Sequence, residues 1–208
     1  MKKIVAAGTG YPEIINLIKE MHDEGNEYEF IGFLDDNENN KKRNLYGYKI
    51  IGGLDWIINN KDVLVVNSIF RDCEIRYKTS EKLIKMGATL KKVIHKSASC
   101  DISNIGEGCI IGRNTVIEQG SLIKKHCVIL HNTVIAHDST IGEYSFIGHN
   151  VSIQGFNQIG KKVFIGAGTT TCPNININDR ATIGLNCNLI RNVAEDAILI
   201  SALPKRIK

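Results

Sequence analysis

The sequence predicts a two-part protein: a small parallel α/β unit over residues 1–92, followed by a β-solenoid over residues 93–208. Three observations carry this. From Ile105 to Leu189, isoleucine stands at thirteen of fifteen positions spaced six apart, the exceptions being Thr171 and Leu189. The fifth position of each hexad is small or short, as in Cys109, Thr115, Ser121, Cys127 and Thr133. Ahead of this rhythm, the chain reads strand, glycine turn, helix, strand.

A period of six fits neither a 3.6-residue helix nor simple two-residue alternation. It fits short strands joined by tight corners, each delivering one large apolar residue to a shared interior. Three hexads close one triangular coil, so the fifteen hexads make five coils. The phase also runs backward through Val93 and Ser97, then Ser99 and Ser103.

In the first unit, residues 3–7 read as a buried strand and Gly8-Thr9-Gly10 as the turn after it. Tyr11-Pro12-Glu13 opens a helix with apolar residues Ile14, Ile15, Leu17, Ile18 and Met21, closed by Gly25. Residues 28–34 form a second strand ending at Asp35-Asp36, residues 62–66 a third, and residues 74–86 a second helix closed by Gly87. Residues 89–94 lead as one strand into the solenoid. This order defines a Rossmann-like βαβ unit. A helix N-terminus suits phosphate, and acidic residues ending the second strand commonly accept sugar hydroxyls. Gly8, Thr9, Gly10, Asp35 and Asp36 hold those places, in a unit too short for a dinucleotide. The expected ligand is a single nucleotide, such as the UDP part of a nucleotide sugar; a tight turn with no ligand is the plain alternative.

Net charge is +4 and the basic residues are scattered apart from Lys41-Lys42-Arg43 and the Lys205-to-Lys208 tail, so nucleic-acid binding is not expected. No apolar run is long enough for a membrane span, and Met1-Lys2-Lys3-Ile4-Val5 enters a strand without a leader's apolar region, so a cytoplasmic protein is expected. The six cysteines lack paired metal spacing; Cys109, Cys127 and Cys187 fall in the small core column, as compact hydrophobes in a reducing compartment.

His131, His137 and His149 all take the third position of their hexads, which lies at a corner. His131 and His149, one coil apart, should stack about 4.8 Å from each other. His137 lies on the next corner with Gly155 stacked one coil away and Asp138 beside it. Imidazole is a natural base for an amine or hydroxyl, and Asp138 could orient the ring. A solvated corner histidine is the plain alternative; the three histidines do not share a corner, so no metal site is expected.

The chain resembles the bacterial sugar acyltransferases of the hexapeptide-repeat class, above all nucleotide-aminosugar N-acetyltransferases of the bacillosamine type and sialic acid O-acetyltransferases. The residues carrying the resemblance are Ala7-Gly8-Thr9-Gly10-Tyr11, Phe33-Leu34-Asp35-Asp36, Val93-Ile94-His95-Lys96-Ser97-Ala98, residues 135–143 around His137-Asp138, and Ile165-Gly166-Ala167-Gly168. The resemblance implies a left-handed parallel β-helix, a homotrimer with active sites between subunits, and acetyl-CoA as co-substrate without a metal. On it His137 is the general base, Asp138 its partner, and the Gly155 N–H the donor to the thioester carbonyl. His149, Gly155, Gly166, Ala167 and Leu185 line the acetyl-CoA groove, while Gly8, Thr9, Gly10, Tyr11, Asp35 and Asp36 hold the nucleotide sugar. The pattern departs at Ala136, where the family often has Glu before the base, at Leu130 and Phe146, where it has Asn and a second His, and at the closing Ser201-Ala202-Leu203-Pro204-Lys205. The expected reaction is acetyl transfer to the amine of a nucleotide-linked sugar. Transfer to a sialic acid hydroxyl and a non-catalytic scaffold or sensor are the alternatives.

Overall fold

The computed structural model describes residues 1–23, 27–40, 44–70 and 72–202. Strands β1 (Lys2–Ala7), β2 (Tyr28–Leu34), β3 (Asn44–Leu45), β4 (Tyr48–Gly52), β5 (Leu64–Asn67) and β6 (Thr89–Leu90) form one sheet in the order β3-β4-β2-β1-β5-β6. Every pairing is parallel except that of β3 with β4. Alternation along β1 sends Ile4 and Ala6 towards helix α1 (Ile14–Lys19), and Val5 and Ala7 towards helix α2 (Cys73–Lys85). All four are fully buried, as a central parallel strand covered on both faces requires.

Two local expectations are corrected. The first helix is shorter than its apolar pattern, because Tyr11–Glu13 forms a tight turn, with Ile14 N–H on Tyr11 O and Ile15 N–H on Pro12 O, each at 3.1 Å. At its other end Met21 bridges His95, and His22 N–H donates to Ile94 O at 2.7 Å, so docking overrides the helical period. Gly25, Lys41-Lys42-Arg43 and the closing residues 203–208 lie outside the described residues. The strand expected over residues 89–94 is two: β6 pairs with β5, whereas β7 (Val93–Ile94) pairs with Ile110–Ile111 in a different sheet. The β3–β4 hairpin was not foreseen; it turns on Tyr46 and Gly47, both at positive φ, with Gly47 N–H on Asn44 Oδ1 at 2.8 Å.

From β7 onward the chain is a parallel β-helix with three flat faces, of seven, five and four strands. Strands pair with the residue eighteen further on, as Ile129 with Ile147 and Ile135 with Ile153. Every residue of the isoleucine column is buried, Thr171 and Leu189 included. The fifth column is buried too, and its polar members have partners: Thr133 Oγ1 donates to Gly148 O at 2.8 Å and accepts from Val151 N–H at 3.3 Å. Ser145 does the same with Gly160 O and Val163 N–H at 2.8 and 3.0 Å. A short hydroxyl there satisfies two backbone groups of the next coil that apolar packing would leave bare.

At the fourth hexad position the backbone turns left-handed. One corner carries Asn114, Asn132, Asn150, Gly168 and Asn186; the next carries Gly120, Asp138, Phe156 and Asn174; the third carries Gly108, His126, Tyr144, Lys162 and Arg180. Glycine, asparagine and aspartate tolerate this region best. Bulky residues of the third corner meet the first unit, where Tyr144 OH donates to Glu81 at 3.0 Å and Lys162 Nζ to Glu74 at 2.8 Å, while Arg180 pairs with Glu195 and Asp196 of the solenoid.

The two parts dock on the seven-stranded face. Its outward residues Ile110, Val128 and Phe146 are buried in one cluster with Ile14, Leu17, Phe70 and Cys73. At the seam lies Arg76, a residue only 1% exposed. Nε donates to His126 O at 2.8 Å, Nη2 to Gly108 O at 3.1 Å, and Nη1 to Asn67 O and Ile69 O. It thus ties two solenoid carbonyls to two carbonyls of the first unit. Burial brings Arg76 down to about 10, still protonated at neutral pH.

The seam also sets an acid limit. His126 is buried, stacked on Tyr144 at 4.8 Å, and burial followed by the charges of Arg76 and Lys125 brings it down to about 4, against the opposing pull of Glu107 and Glu81. The unfolded chain therefore binds a proton that the folded chain refuses between the ordinary histidine value of about 6.5 and about 4. Stability is full above that window and falls as pH drops through it, by on the order of 2–3 kcal/mol. Urea midpoints at descending pH should fall more in wild type than in His126→Asn; equal falls would assign the loss elsewhere.

Candidate active site

His137 sits at the corner between two short strands, its side chain 51% exposed. Asp138 follows in the left-handed position, which swings its carboxylate back onto the ring: Oδ2 lies 2.9 Å from His137 Nδ1. A carboxylate only accepts, so Nδ1 carries the proton and Nε2 offers its lone pair. Gly120 lies under Asp138, and a β-carbon there would fall 2.3 Å from Asp138 Oδ1. Glycine at 120 thus leaves room for the carboxylate.

The His137 N–H donates to Glu118 Oε2 at 2.9 Å. Glu118 stands one coil from Ala136, the place where the resemblance puts a glutamate. The sequence reading missed it, although the eighteen-residue spacing could have found it. It missed Phe156 as well, whose ring meets the His137 ring edge-on at 4.9 Å.

Gly155 is stacked one coil from His137 as the spacing predicts. A β-carbon at Gly155 would lie 2.9 Å from both Cε1 and Nε2 of His137, so only glycine admits the imidazole in this pose. Among the described residues the Gly155 N–H meets no acceptor. Gly155→Ala should leave the fold intact, displace the ring, and lower kcat about a hundredfold, as losing aligned catalytic groups does; steady-state kinetics alongside a melting curve would check it.

His149, Ala167 and Leu185 are stacked in one column, with Gly168 N–H on His149 O and Asn186 N–H on Ala167 O, each at 2.9 Å. Leu185 is 62% exposed. Gly166 has a packing reason of its own: a β-carbon would lie 2.6 Å from the Gly184 carbonyl carbon. His131 and His149 stack with ring centres 5.1 Å apart. His131 faces the first unit rather than solvent: its Nδ1 accepts the Arg113 N–H at 2.7 Å, which leaves its proton on Nε2, 3.1 Å from the Tyr11 hydroxyl. Burial, then His149 and Arg113, lower its pKa, so it serves as a neutral link between the parts. Arg113 adds ion pairs to Glu13 and Glu20, and Glu20 also meets His95 at 2.7 Å.

In the first unit Gly8 takes φ +94°, with its N–H on Leu34 O at 2.8 Å. Thr9 and Asp35 come together, Oγ1 donating to Oδ2 at 2.7 Å, and Asp35 also accepts from Asn37 N–H and Asn40 Nδ2. Asp36 turns away, accepting from Leu54 N–H at 2.7 Å and pairing with Lys82 at 2.8 Å, which lowers its pKa. Tyr11 is drawn to His131, and burial pushes its hydroxyl up to about 12. Beside Tyr11 a cavity of about 480 Å³ opens, lined by Tyr11, Pro12, Glu13, Lys19, Tyr46 and Tyr48 among others. Among the described residues no group of three or more His, Cys, Asp or Glu could hold a metal ion, and no helix is long and apolar enough to cross a membrane. Burial raises Cys127 well above the ordinary thiol value, so it stays protonated in the core.

The family model for bacterial transferase hexapeptide (six repeats) matches residues 120–155, the stretch that holds His137, Asp138 and Gly155. Nothing among curated proteins matches the sequence. Among solved structures, the acetyltransferase domain of PglB from Neisseria gonorrhoeae FA1090, in complex with acetyl coenzyme A, superposes with a TM-score of 0.83 at 20% identity, over 96% of each chain. PerB from Caulobacter crescentus, in complex with CoA and GDP-perosamine, gives 0.83 at 21% identity, over 96% of this chain and 94% of that one. WeeI from Acinetobacter baumannii AYE gives 0.59 at 20% identity, over 92% and 96%. The hexapeptide repeat is thus matched by the family model, and the fold shared with the solved structures spans nearly the whole chain.

Proposed function

We propose that this protein transfers an acetyl group from acetyl-CoA to the amine of a nucleotide-linked amino sugar, a UDP-linked 4-amino sugar in the first instance. The observation that carries the reading is His137: its Nδ1 is held by Asp138 and its Nε2 edge lies against Gly155. The solved structures with this fold include one bound to acetyl coenzyme A and one bound to CoA and GDP-perosamine, which supports both substrates here.

The amine lone pair attacks the thioester carbonyl carbon, and the new C–N bond forms as the carbonyl electrons move onto oxygen. Nε2 of His137 takes the proton the amine sheds, and Asp138 stabilises the imidazolium. The Gly155 N–H donates to the developing oxyanion. Collapse breaks the C–S bond, and the departing thiolate takes a proton from the imidazolium, which resets the base. No covalent enzyme intermediate is required. In this reading the solenoid is left-handed and pairs in a homotrimer, with His149, Gly155, Gly166, Ala167 and Leu185 along the acetyl-CoA groove between subunits. Residues 1–92 hold the nucleotide sugar through Gly8, Thr9, Gly10, Tyr11, Asp35 and Asp36, and residues 93–208 carry out the transfer.

The test is the bond formed. Product from acetyl-CoA and the accepted sugar should be stable to hydroxylamine, as an amide is. A hydroxylamine-labile ester would move the reaction to a sugar hydroxyl.

A further inference from the structure

Phe156 is the anomaly among the corners. Its φ is +60°, in the region a bulky side chain enters at a cost. Its own corner otherwise holds Gly120, Asp138 and Asn174. Of the bulky left-handed residues on the third corner, His126, Tyr144 and Lys162 are met by the first unit, and Arg180 is held in ion pairs by Glu195 and Asp196. Within one chain nothing of either kind covers Phe156: it is 50% exposed, and its ring contact among the described residues is with His137. Within one chain, a phenyl ring on a strained, half-exposed backbone position adds little to the fold beyond its edge contact with His137. A backbone outlier of this kind beside the base points to a use in the reaction.

We propose that Phe156 is the platform for the acceptor sugar: the exposed face of its ring packs against the apolar C–H face of the pyranose and turns the amine towards His137 Nε2. The inference rests on the transferase reading above. The chain passes from the corner of His149 to Gly155 and then to Phe156, so Phe156 lies on the side of Gly155 away from the His149–Ala167–Leu185 column. Donor and acceptor then approach the base from opposite sides, and a single face of the sugar is selected. An aromatic ring suits this because its face is apolar and electron-rich, and it loses little side-chain freedom on contact.

Phe156→Ala, Phe156→Tyr and Phe156→Asn would be compared with wild type in steady-state kinetics, varying acetyl-CoA and the accepted nucleotide sugar separately. The alanine variant should raise the acceptor KM about tenfold or more, with the acetyl-CoA KM within about twofold of wild type. Tyrosine should restore the acceptor KM. Asparagine should share the alanine defect while melting no lower than wild type, since it accepts the left-handed backbone. An unchanged acceptor KM in Phe156→Ala, or a parallel rise for acetyl-CoA, would overturn the assignment and leave the transferase reading standing. A wild-type protein silent towards every acceptor would overturn both.

Discussion

Alanine in place of His137 is expected to lower kcat by about 10²–10⁴-fold, the range a positioned general base contributes, with the melting temperature unchanged. The side chain is half exposed, its ring meets Asp138 and Phe156, and the backbone N–H that Glu118 accepts survives the substitution. KM for both substrates should stay near wild type, because the ring acts on the proton and not on binding. Asp138→Asn should fall between the two: the amide at 138 can present its own N–H to Nδ1, favouring the tautomer with the proton on Nε2. Near-normal turnover by a folded His137→Ala protein would remove the base from the mechanism.

Arg76→Met should be the most destabilising single change along the seam, by about 3–5 kcal/mol, the cost of breaking a buried charged network. It strips donors from the carbonyls of Asn67, Ile69, Gly108 and His126 at once. For a chain of this size, that lowers the melting temperature by roughly 10 °C. Arg76→Lys should recover little, since a single ammonium does not span both parts. Thermal and urea unfolding of purified variants would decide it; a loss below about 1 kcal/mol would mean that the apolar contacts of Phe70, Cys73 and Phe146 hold the seam unaided.

These two residues show what could be read in advance. The solenoid was legible because one geometric demand, a large apolar residue delivered inward at every sixth position, is met at fourteen of fifteen places. The stacking of Gly155 on His137 and of His131 on His149 follows from the same arithmetic. The docking face was legible in principle, since Ile110, Val128, Phe146 and Phe164 recur every eighteen residues where the other faces carry Thr140, Gln158 or Asn176. Arg76 was not legible. In the run Glu74-Ile75-Arg76-Tyr77-Lys78 it reads as one more charge on a solvated helix, and only the fold of both parts reveals the four carbonyls that hold it. The shortened first helix was hidden for a similar reason: Met21 and His95 are far apart in sequence, and their pairing decides where the helix ends. Glu118 lay one coil from a position already singled out, so the stacking rule applied to neighbours of His137 would have found it.

The proposed acceptor is a nucleotide-linked sugar amine. Thiol release from acetyl-CoA, measured against UDP-, dTDP- and GDP-linked 4-amino sugars beside free sialic acid, tests it most directly, with His137→Ala run in parallel. Rapid release with at least one nucleotide-linked amino sugar is expected, falling by about 10²–10⁴-fold in the variant. Release with free sialic acid alone, or release that His137→Ala leaves intact, would contradict it.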